Sequence, residues 1–147
     1  MAIPNESSIS VQQFVAQPLT NTQPGYLSAK EISAIAPVSL AYIGDAVFEL
    51  YVRSRLLLPA KRIRDYHQQV VAHVKAEQQA HYADILAPHL TETETDLLRR
   101  GRNATSGRHR RAAANHYQKS TGFEALIGFL YLSDRARLHY LLHQLDI

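Results

Sequence analysis

The chain has 147 residues, enough for one domain with a substantial hydrophobic core. It contains no cysteine and therefore needs neither disulfides nor a thiolate metal site, so we predict a protein of the reducing cytoplasm. Its net charge is +3, and the first 29 residues hold no Lys or Arg, which argues against a secretory signal or an organelle transit peptide.

The N-terminal residues are polar and are followed by the first helix signal. Residues 1–25 are rich in Ser, Gln, Asn, Thr and Pro and are predicted to form a flexible tail, with the single domain at 26–147. Ser28 and Glu31 have the spacing of a capping box, which predicts a short helix that ends before Pro37.

A long apolar helix is predicted next, from about Ser39 to Leu57, and Pro59 ends it. The run Val38–Leu58 is long enough to span a bilayer. It contains four charged residues, namely Asp45, Glu49, Arg53 and Arg55. These charges favour a core helix of a soluble protein and exclude a membrane protein from the prediction.

A third helix is predicted from about Lys61 to Leu86. Its first half carries an apolar stripe at helical spacing, formed by Ile63, Tyr66, Val70 and Val74. Polar Gln78 interrupts the stripe one turn later. Thr91 and Glu94 form a second capping-box pattern, which predicts a helix through about Arg100.

The C-terminal third is predicted as a loop followed by two helices. Residues 101–118 contain Gly, Asn and Ser and are predicted as loop, with helices at about 119–132 and 133–145. The chain contains no convincing alternation typical of strands. The sequence therefore predicts an all-α fold of about six helices.

Two acidic residues stand out because they interrupt apolar runs. Asp45 follows Gly44 in the long helix, and Glu124 lies in the apolar run Phe123–Leu132. A carboxylate is rarely buried without a partner, since its removal from water is costly. A glycine inside a helix also costs stability, which indicates close approach of another backbone or of a ligand. The two acids could share a divalent cation.

Each acid also has a structural interpretation. Gly44 could serve helix packing alone, with Asp45 bonded to a local polar group. Thr121 and Glu124 match a capping box, which would place Glu124 in the first turn of a helix. Glu49 lies four residues before Arg53, the favourable order for an ion pair on a helix surface, and we prefer that role for it.

Positive charge is concentrated ahead of the second acid. No Asp or Glu falls between Leu97 and Phe123. The basic residues of this stretch are Arg99, Arg100, Arg102, Arg108, Arg110, Arg111 and Lys119. Such a segment favours a polyanionic partner, although it could also be a solvated loop.

Three blocks of the sequence, in order, closely resemble the Mini-ribonuclease III subfamily of the ribonuclease III superfamily. They are LAYIGDAVFE at 40–49, RRGRNA at 99–104 and STGFEALIGFLYL at 120–132. The resemblance covers about residues 28–147. Full-length ribonuclease III has further acids where this chain has Ala41, Val38 and Thr121, so only Asp45 and Glu124 carry over, as in the Mini subfamily.

The resemblance implies the ribonuclease III endonuclease-domain fold and a Mg²⁺-dependent homodimer that cleaves double-stranded RNA. A typical substrate is precursor 23S ribosomal RNA, trimmed near both ends, with possible assistance from a ribosomal protein. Asp45 and Glu124 are the implied catalytic residues and metal ligands. The implied RNA-binding residues are Arg99, Arg100, Arg102, Asn103, Arg108, Arg110 and Arg111.

Two other functions remain to be weighed against this one. A catalytically silent RNA-binding protein could use the same fold, but here both acids are retained. A helical DNA-binding regulator could use the basic segment to read a groove, but that function does not explain two acids in core helices.

Overall fold

A computed structural model describes residues 27–105 and 111–147, with residues 111–114 described by their backbone alone. The predicted tail at 1–25 lies outside the described residues, as do Arg108 and Arg110. Within the described residues the fold is all-α, as predicted. None of the helices in this part of the chain has the length and apolar character that crossing a membrane requires.

Seven α-helices occur in the described parts of the chain. They are α1 (Ala29–Ser33), α2 (Pro37–Leu56), α3 (Ile63–Val74), α4 (Ala76–Leu86), α5 (Glu92–Asn103), α6 (Arg111–Ser133) and α7 (Arg135–Leu142), with a single 3₁₀ turn at Ala87–His89 after α4.

The capping signals are confirmed where the sequence predicted them. The Ser28 hydroxyl accepts from the backbone N–H of Glu31, and the Glu31 carboxylate accepts from the N–H of Ser28. Thr91 and Glu94 repeat this reciprocal pair at the start of α5. Both predictions succeeded because a capping box is a purely local interaction.

The single helix predicted at 61–86 is wrong: the structure has two helices that meet at Lys75. The backbone of Lys75 is extended, with ψ of 149°, so α3 ends there and α4 begins at the next residue. The two helices bury different surfaces, since α3 packs on α2 whereas α4 packs on α6. The break redirects the chain between these two neighbours.

The predicted loop at 101–118 is too long. Helix α5 continues to Asn103, and α6 already begins at Arg111. Thr121 and Glu124 therefore lie in the interior of α6, so the capping-box interpretation of this pair is wrong. The Thr121 hydroxyl instead donates to the carbonyl of Tyr117, at 3.0 Å.

Helix α6 is the axis of the domain, because α1, α2, α4, α5 and α7 all pack against it. Its side chains are buried on nearly every side between Ser120 and Gly128. Phe123 contacts Phe48 of α2 edge to face, with 4.9 Å between the ring centroids. This core holds the two acid-bearing helices, α2 and α6, against each other.

Helices α2 and α6 cross at two glycines. A Cβ on Gly44 would overlap the carbonyl oxygen of Glu124 and lie 2.8 Å from the backbone nitrogen of Gly128. A Cβ on Gly128 would in turn overlap the carbonyl oxygen of Leu40. Only glycine permits this backbone contact, which confirms the interpretation of Gly44 as a site of close approach.

Candidate active site

The glycine crossing brings the two predicted acids together. Asp45 follows Gly44, and the backbone of Glu124 is the surface against which Gly44 packs. The two carboxyl groups lie close enough for each to affect the pKa of the other. Residues almost eighty positions apart in sequence thus form one carboxyl pair at the α2–α6 crossing.

Asp45 is less enclosed than the sequence predicted. The sequence placed it in the apolar interior, whereas its side chain is exposed in the single chain, as is that of Ala46. This difference arises because one face of α2 has no covering element within the described residues. Partial desolvation nevertheless raises the pKa of Asp45, and the negative charge of Glu49 adds to the increase.

Glu124 is the more perturbed acid of the pair. Its side chain is partly buried at the crossing. Burial first, and the charge of Asp45 second, raise the pKa of Glu124 to about 7, whereas the Gln79 side chain opposes this increase. Burial and neighbouring negative charge thus disfavour ionisation of both carboxyl groups, and a cation would offset this effect.

The protein itself supplies no such cation among the described residues. Within 27–105 and 115–147, whose side chains are described, neither Asp45 nor Glu124 forms an ion pair with Lys, Arg or His. No three His, Asp or Glu side chains in that part form a metal-binding group on their own. The pair nevertheless fits Mg²⁺, which is commonly held by one or two carboxylates together with waters and substrate phosphates.

The neighbouring Glu49 has the role predicted for it. It accepts from Arg53 at 2.8 Å, one turn along the surface of α2, so the predicted ion pair is confirmed. Glu49 contributes to the site through its charge, which raises the pKa of Asp45. Thr121 is buried, and its hydroxyl is bonded to the backbone of its own helix.

The predicted RNA-binding arginines of α5 are exposed at the C-terminal end of that helix. Arg99 and Arg100 both donate to Asp96, at 2.6 Å and 3.0 Å. Arg102 donates to the side-chain oxygen of Asn115 on α6, at 3.4 Å. Asn103 is also exposed. These four residues lie together at one end of α5. Only the backbone of Arg111 is described, and it forms the first residue of α6.

Glycines also set the position of α5 beside the acid-bearing helix. A Cβ on Gly101 would lie 2.9 Å from the Cα of Gly122, and one on Gly122 would lie 2.5 Å from the carbonyl oxygen of Leu98. Gly122 lies two residues before Glu124. The arginine-bearing end of α5 is therefore fixed next to the α6 segment that carries the second acid.

The structure has two further polar features, in addition to the carboxyl pair, that the sequence did not predict. A polar groove of about 330 Å³ lies between α4 and α6, and its lining residues are Glu77, Gln78, Ala80, His81, Asp84, Asn115, His116 and Lys119. Lys119 donates to Asp84 at 3.0 Å in this groove, so this basic residue is paired. The second feature is Gln79, which is fully buried although glutamine in a helix normally indicates a solvated face.

Comparisons with known proteins agree with this architecture. Residues 38–135 match the family model described as the ribonuclease III domain. Mini-ribonuclease 3 of Synechocystis sp. is 47% identical over 135 residues, which span 92% of this chain and 94% of that protein. This chain belongs to the Mini-ribonuclease 3 family. Membership in the family makes it an endoribonuclease.

Further similarities agree with the assignment to the Mini-ribonuclease 3 family. Mini-ribonuclease 3 of Thermosynechococcus vestitus is 53% identical over 104 residues, which span 71% of this chain and 69% of that protein. The crystal structure of protein FN1578 from Fusobacterium nucleatum is similar with a TM-score of 0.68 and 26% identity. The match covers 74% of this chain and 90% of that one.

Proposed function

We propose that this endoribonuclease is Mg²⁺-dependent, cleaves double-stranded RNA and matures the 5′ and 3′ ends of precursor 23S ribosomal RNA in the cytoplasm. The observation that carries the proposal is the Asp45–Glu124 pair, which meets at a glycine crossing without a compensating cation from the described residues. Two carboxylates suffice to hold Mg²⁺ against a substrate phosphate, and this arrangement suits phosphodiester cleavage.

The two carboxylates of the proposed site are both metal ligands but differ in their exposure to substrate. Asp45 and Glu124 would hold Mg²⁺, which supplies Lewis-acid polarisation of the phosphate and a lowered pKa for attacking water. Asp45 is exposed and so is available to substrate, whereas partly buried Glu124 is more rigidly placed. Ionised Glu124 is favoured in the loaded site because a cation offsets the burial and repulsion that raise its pKa. We expect products with 5′-phosphate and 3′-hydroxyl ends.

The basic residues of α5 and of the adjoining segment are the proposed RNA contacts. An A-form duplex presents phosphates and 2′-hydroxyls rather than base edges, so exposed guanidinium groups suit it without reading sequence. The proposed contacts are Arg99, Arg100, Arg102, Asn103, Arg108, Arg110 and Arg111. Asp96 pairs with Arg99 and Arg100 in the free protein, so RNA phosphates must compete with this carboxylate.

The exposed face of α2 supports the proposed homodimer. Val38, Tyr42 and Leu50 lie on this face with 52%, 86% and 53% of their surface exposed. Large apolar side chains at spacings of four and eight residues share one side of a helix. A two-fold contact between two such faces would bury them and would place two carboxyl pairs in one particle, one for each RNA strand.

The decisive experiment compares cleavage of matched RNA and DNA duplexes by the purified protein. We expect the RNA duplex, but not the DNA duplex, to be cleaved in the presence of Mg²⁺, and EDTA should abolish this cleavage. Mapping of the ends on precursor 23S ribosomal RNA should place the cuts near both termini. Cleavage only after addition of ribosomal proteins would show that a partner assists. Duplex RNA binding without cleavage in Mg²⁺ would instead favour the catalytically silent RNA-binding protein.

A further inference from the structure

Gln79 differs from the other buried polar side chains of the domain. Glu94 is paired with Arg137 at 2.8 Å, and the hydroxyls of Ser120 and Thr121 donate to the carbonyl of Tyr117. Gln79 is 1% exposed, and its Nε2 donor has no hydrogen-bond partner of normal geometry among the described residues. A buried amide donor without a partner destabilises a fold, so its presence calls for a role.

The position of Gln79 relates it to the carboxyl pair. Gln79 lies on the buried face of α4, which packs against α6, together with Ala83 and Leu86. Its side chain acts on Glu124, where it favours the ionised carboxylate. The amide therefore affects the pKa of Glu124, although its Nε2 makes no hydrogen bond of normal geometry with any described residue.

A neutral donor suits this position better than a basic side chain would. A Lys or Arg at position 79 would neutralise Glu124 and compete with a divalent cation for it. An amide N–H orients one carboxylate oxygen while the full negative charge remains for the metal. Because Gln79 is fully buried, it cannot itself contact RNA.

We propose that Gln79 is a positioning residue of the metal site, whose amide donates to the Glu124 carboxylate when that carboxylate holds a divalent cation. The inference rests on the proposed function, since it takes Glu124 to be a metal ligand. Outer groups that hold a ligating side chain typically change metal affinity or activity by 10- to 100-fold when removed. Gln79 should thus lower the free energy of unfolding when no cation is added and increase the affinity of the carboxyl pair for a divalent cation.

The test replaces Gln79 by methionine, which keeps the length of the side chain and removes the amide. We expect Gln79→Met to melt at the same or a higher temperature in EDTA, because an unpartnered donor is removed. Mn²⁺ affinity, measured by electron paramagnetic resonance without RNA, should fall by about tenfold or more. The Mg²⁺ concentration for half-maximal cleavage should rise by a similar factor, while RNA affinity in EDTA stays unchanged.

Leu86→Met is the matched control, because Leu86 is fully buried on the same face of α4. This variant should bind Mn²⁺ as the wild type does. Unchanged Mn²⁺ affinity in Gln79→Met, with a lowered melting temperature, would overturn the inference and leave Gln79 a packing residue. Failure of both Gln79→Met and Gln79→Leu to fold would overturn it too, since an unpartnered donor should tolerate apolar replacement.

A Glu124→Gln variant separates this inference from the proposed function. If Glu124→Gln loses Mn²⁺ binding while Gln79→Met retains it, only the role of Gln79 is wrong. If Glu124→Gln itself binds Mn²⁺ normally, the assignment of the metal site fails, and the inference about Gln79 fails with it.

Discussion

Helices α2 and α6 are both largely apolar but differ in how completely other helices cover them. Each carries one glycine of the crossing and one acid of the carboxyl pair, Gly44 and Asp45 in α2 and Gly128 and Glu124 in α6. Helix α6 is surrounded by five other helices, whereas α2 buries one face and exposes the other. Apolar composition alone therefore does not tell which of two helices is fully enclosed.

The difference between these helices gives their two acids different properties. Burial within the domain is the largest cause of the raised pKa of Glu124, whereas Asp45 is exposed and its pKa is also raised by neighbouring Glu49. A site on a domain surface benefits from this asymmetry, since one ligand is fixed by the core and the other faces the substrate. The asymmetry predicts that equivalent substitutions on the two helices will have the same effect on catalysis but different effects on stability.

The largest expected effect is the loss of cleavage when either acid is neutralised. Asp45→Asn and Glu124→Gln should each reduce single-turnover cleavage by about a thousandfold or more, which corresponds to about 4 kcal/mol of transition-state stabilisation. In EDTA near neutral pH, Glu124→Gln should raise the melting temperature more than Asp45→Asn, because its carboxylate is the more buried. A destabilised but normally active Asp45→Asn variant would contradict the catalytic assignment.

The next largest effect should come from the glycine crossing that joins the helices. Gly44→Ala gains about 1 kcal/mol of helix propensity. The new Cβ would overlap the carbonyl oxygen of Glu124, and backbone of a packed helix cannot easily move away. Overpacking of this kind costs about 3 kcal/mol, so thermal denaturation should show a melting temperature lower by roughly 4–8 °C for the net loss.

Ala46→Gly is the matched control on the same helix, since Ala46 is exposed. It should destabilise by about 1 kcal/mol through propensity alone. If Gly44→Ala were instead stabilising, the close crossing of α2 and α6 would be wrong.

A smaller effect should appear at the exposed face of α2. Tyr42→Ser removes the most exposed of its large apolar side chains. If the face forms the proposed homodimer, a central aromatic contact is worth about 2 kcal/mol, so the dimer dissociation constant should rise by roughly 30-fold. Analytical ultracentrifugation measures this change. Ile63→Ser, at another exposed apolar site on α3, should leave the constant unchanged; equal effects of the two variants would argue against this interface.

Local signals explain which parts of the fold could be predicted from the sequence. The capping boxes at Ser28 and Thr91 depend on residues three positions apart, and both are found in the structure. The break at Lys75 has no Gly or Pro to announce it. It depends on the packing of α3 and α4 against different helices, which no local pattern contains.

The candidate site was predictable to the extent that it lies in sequence motifs. Asp45 and Glu124 interrupt apolar runs, and the structure brings them together. The exposure of Asp45 was not predictable, because it depends on which face of α2 the rest of the chain covers. Gln79 gave no signal, since a glutamine on a helix resembles a surface residue until the helix is packed.

The last prediction concerns the pH dependence that partly buried Glu124 gives to stability when no cation is added. The pKa of the Glu124 carboxyl is about 7 in the folded protein, against its ordinary value of 4.5 in the unfolded chain. Between these two pH values the folded state binds a proton that the unfolded state does not bind. The free energy of unfolding should therefore fall as pH rises from 4.5 to about 7 and should level off at higher pH.

Urea denaturation in EDTA across this window, compared between wild type and Glu124→Gln, isolates the contribution of this one group. The variant should lack the part of the decline that comes from Glu124, since glutamine does not titrate. Glu94 does not interfere, because hydrogen bonding from Arg137 lowers the pKa of its carboxyl, so its stabilising effect is lost only on acidification below the window. A decline of equal slope in both proteins would mean that Glu124 is ionised throughout, which would remove the difference between the acids of α2 and α6.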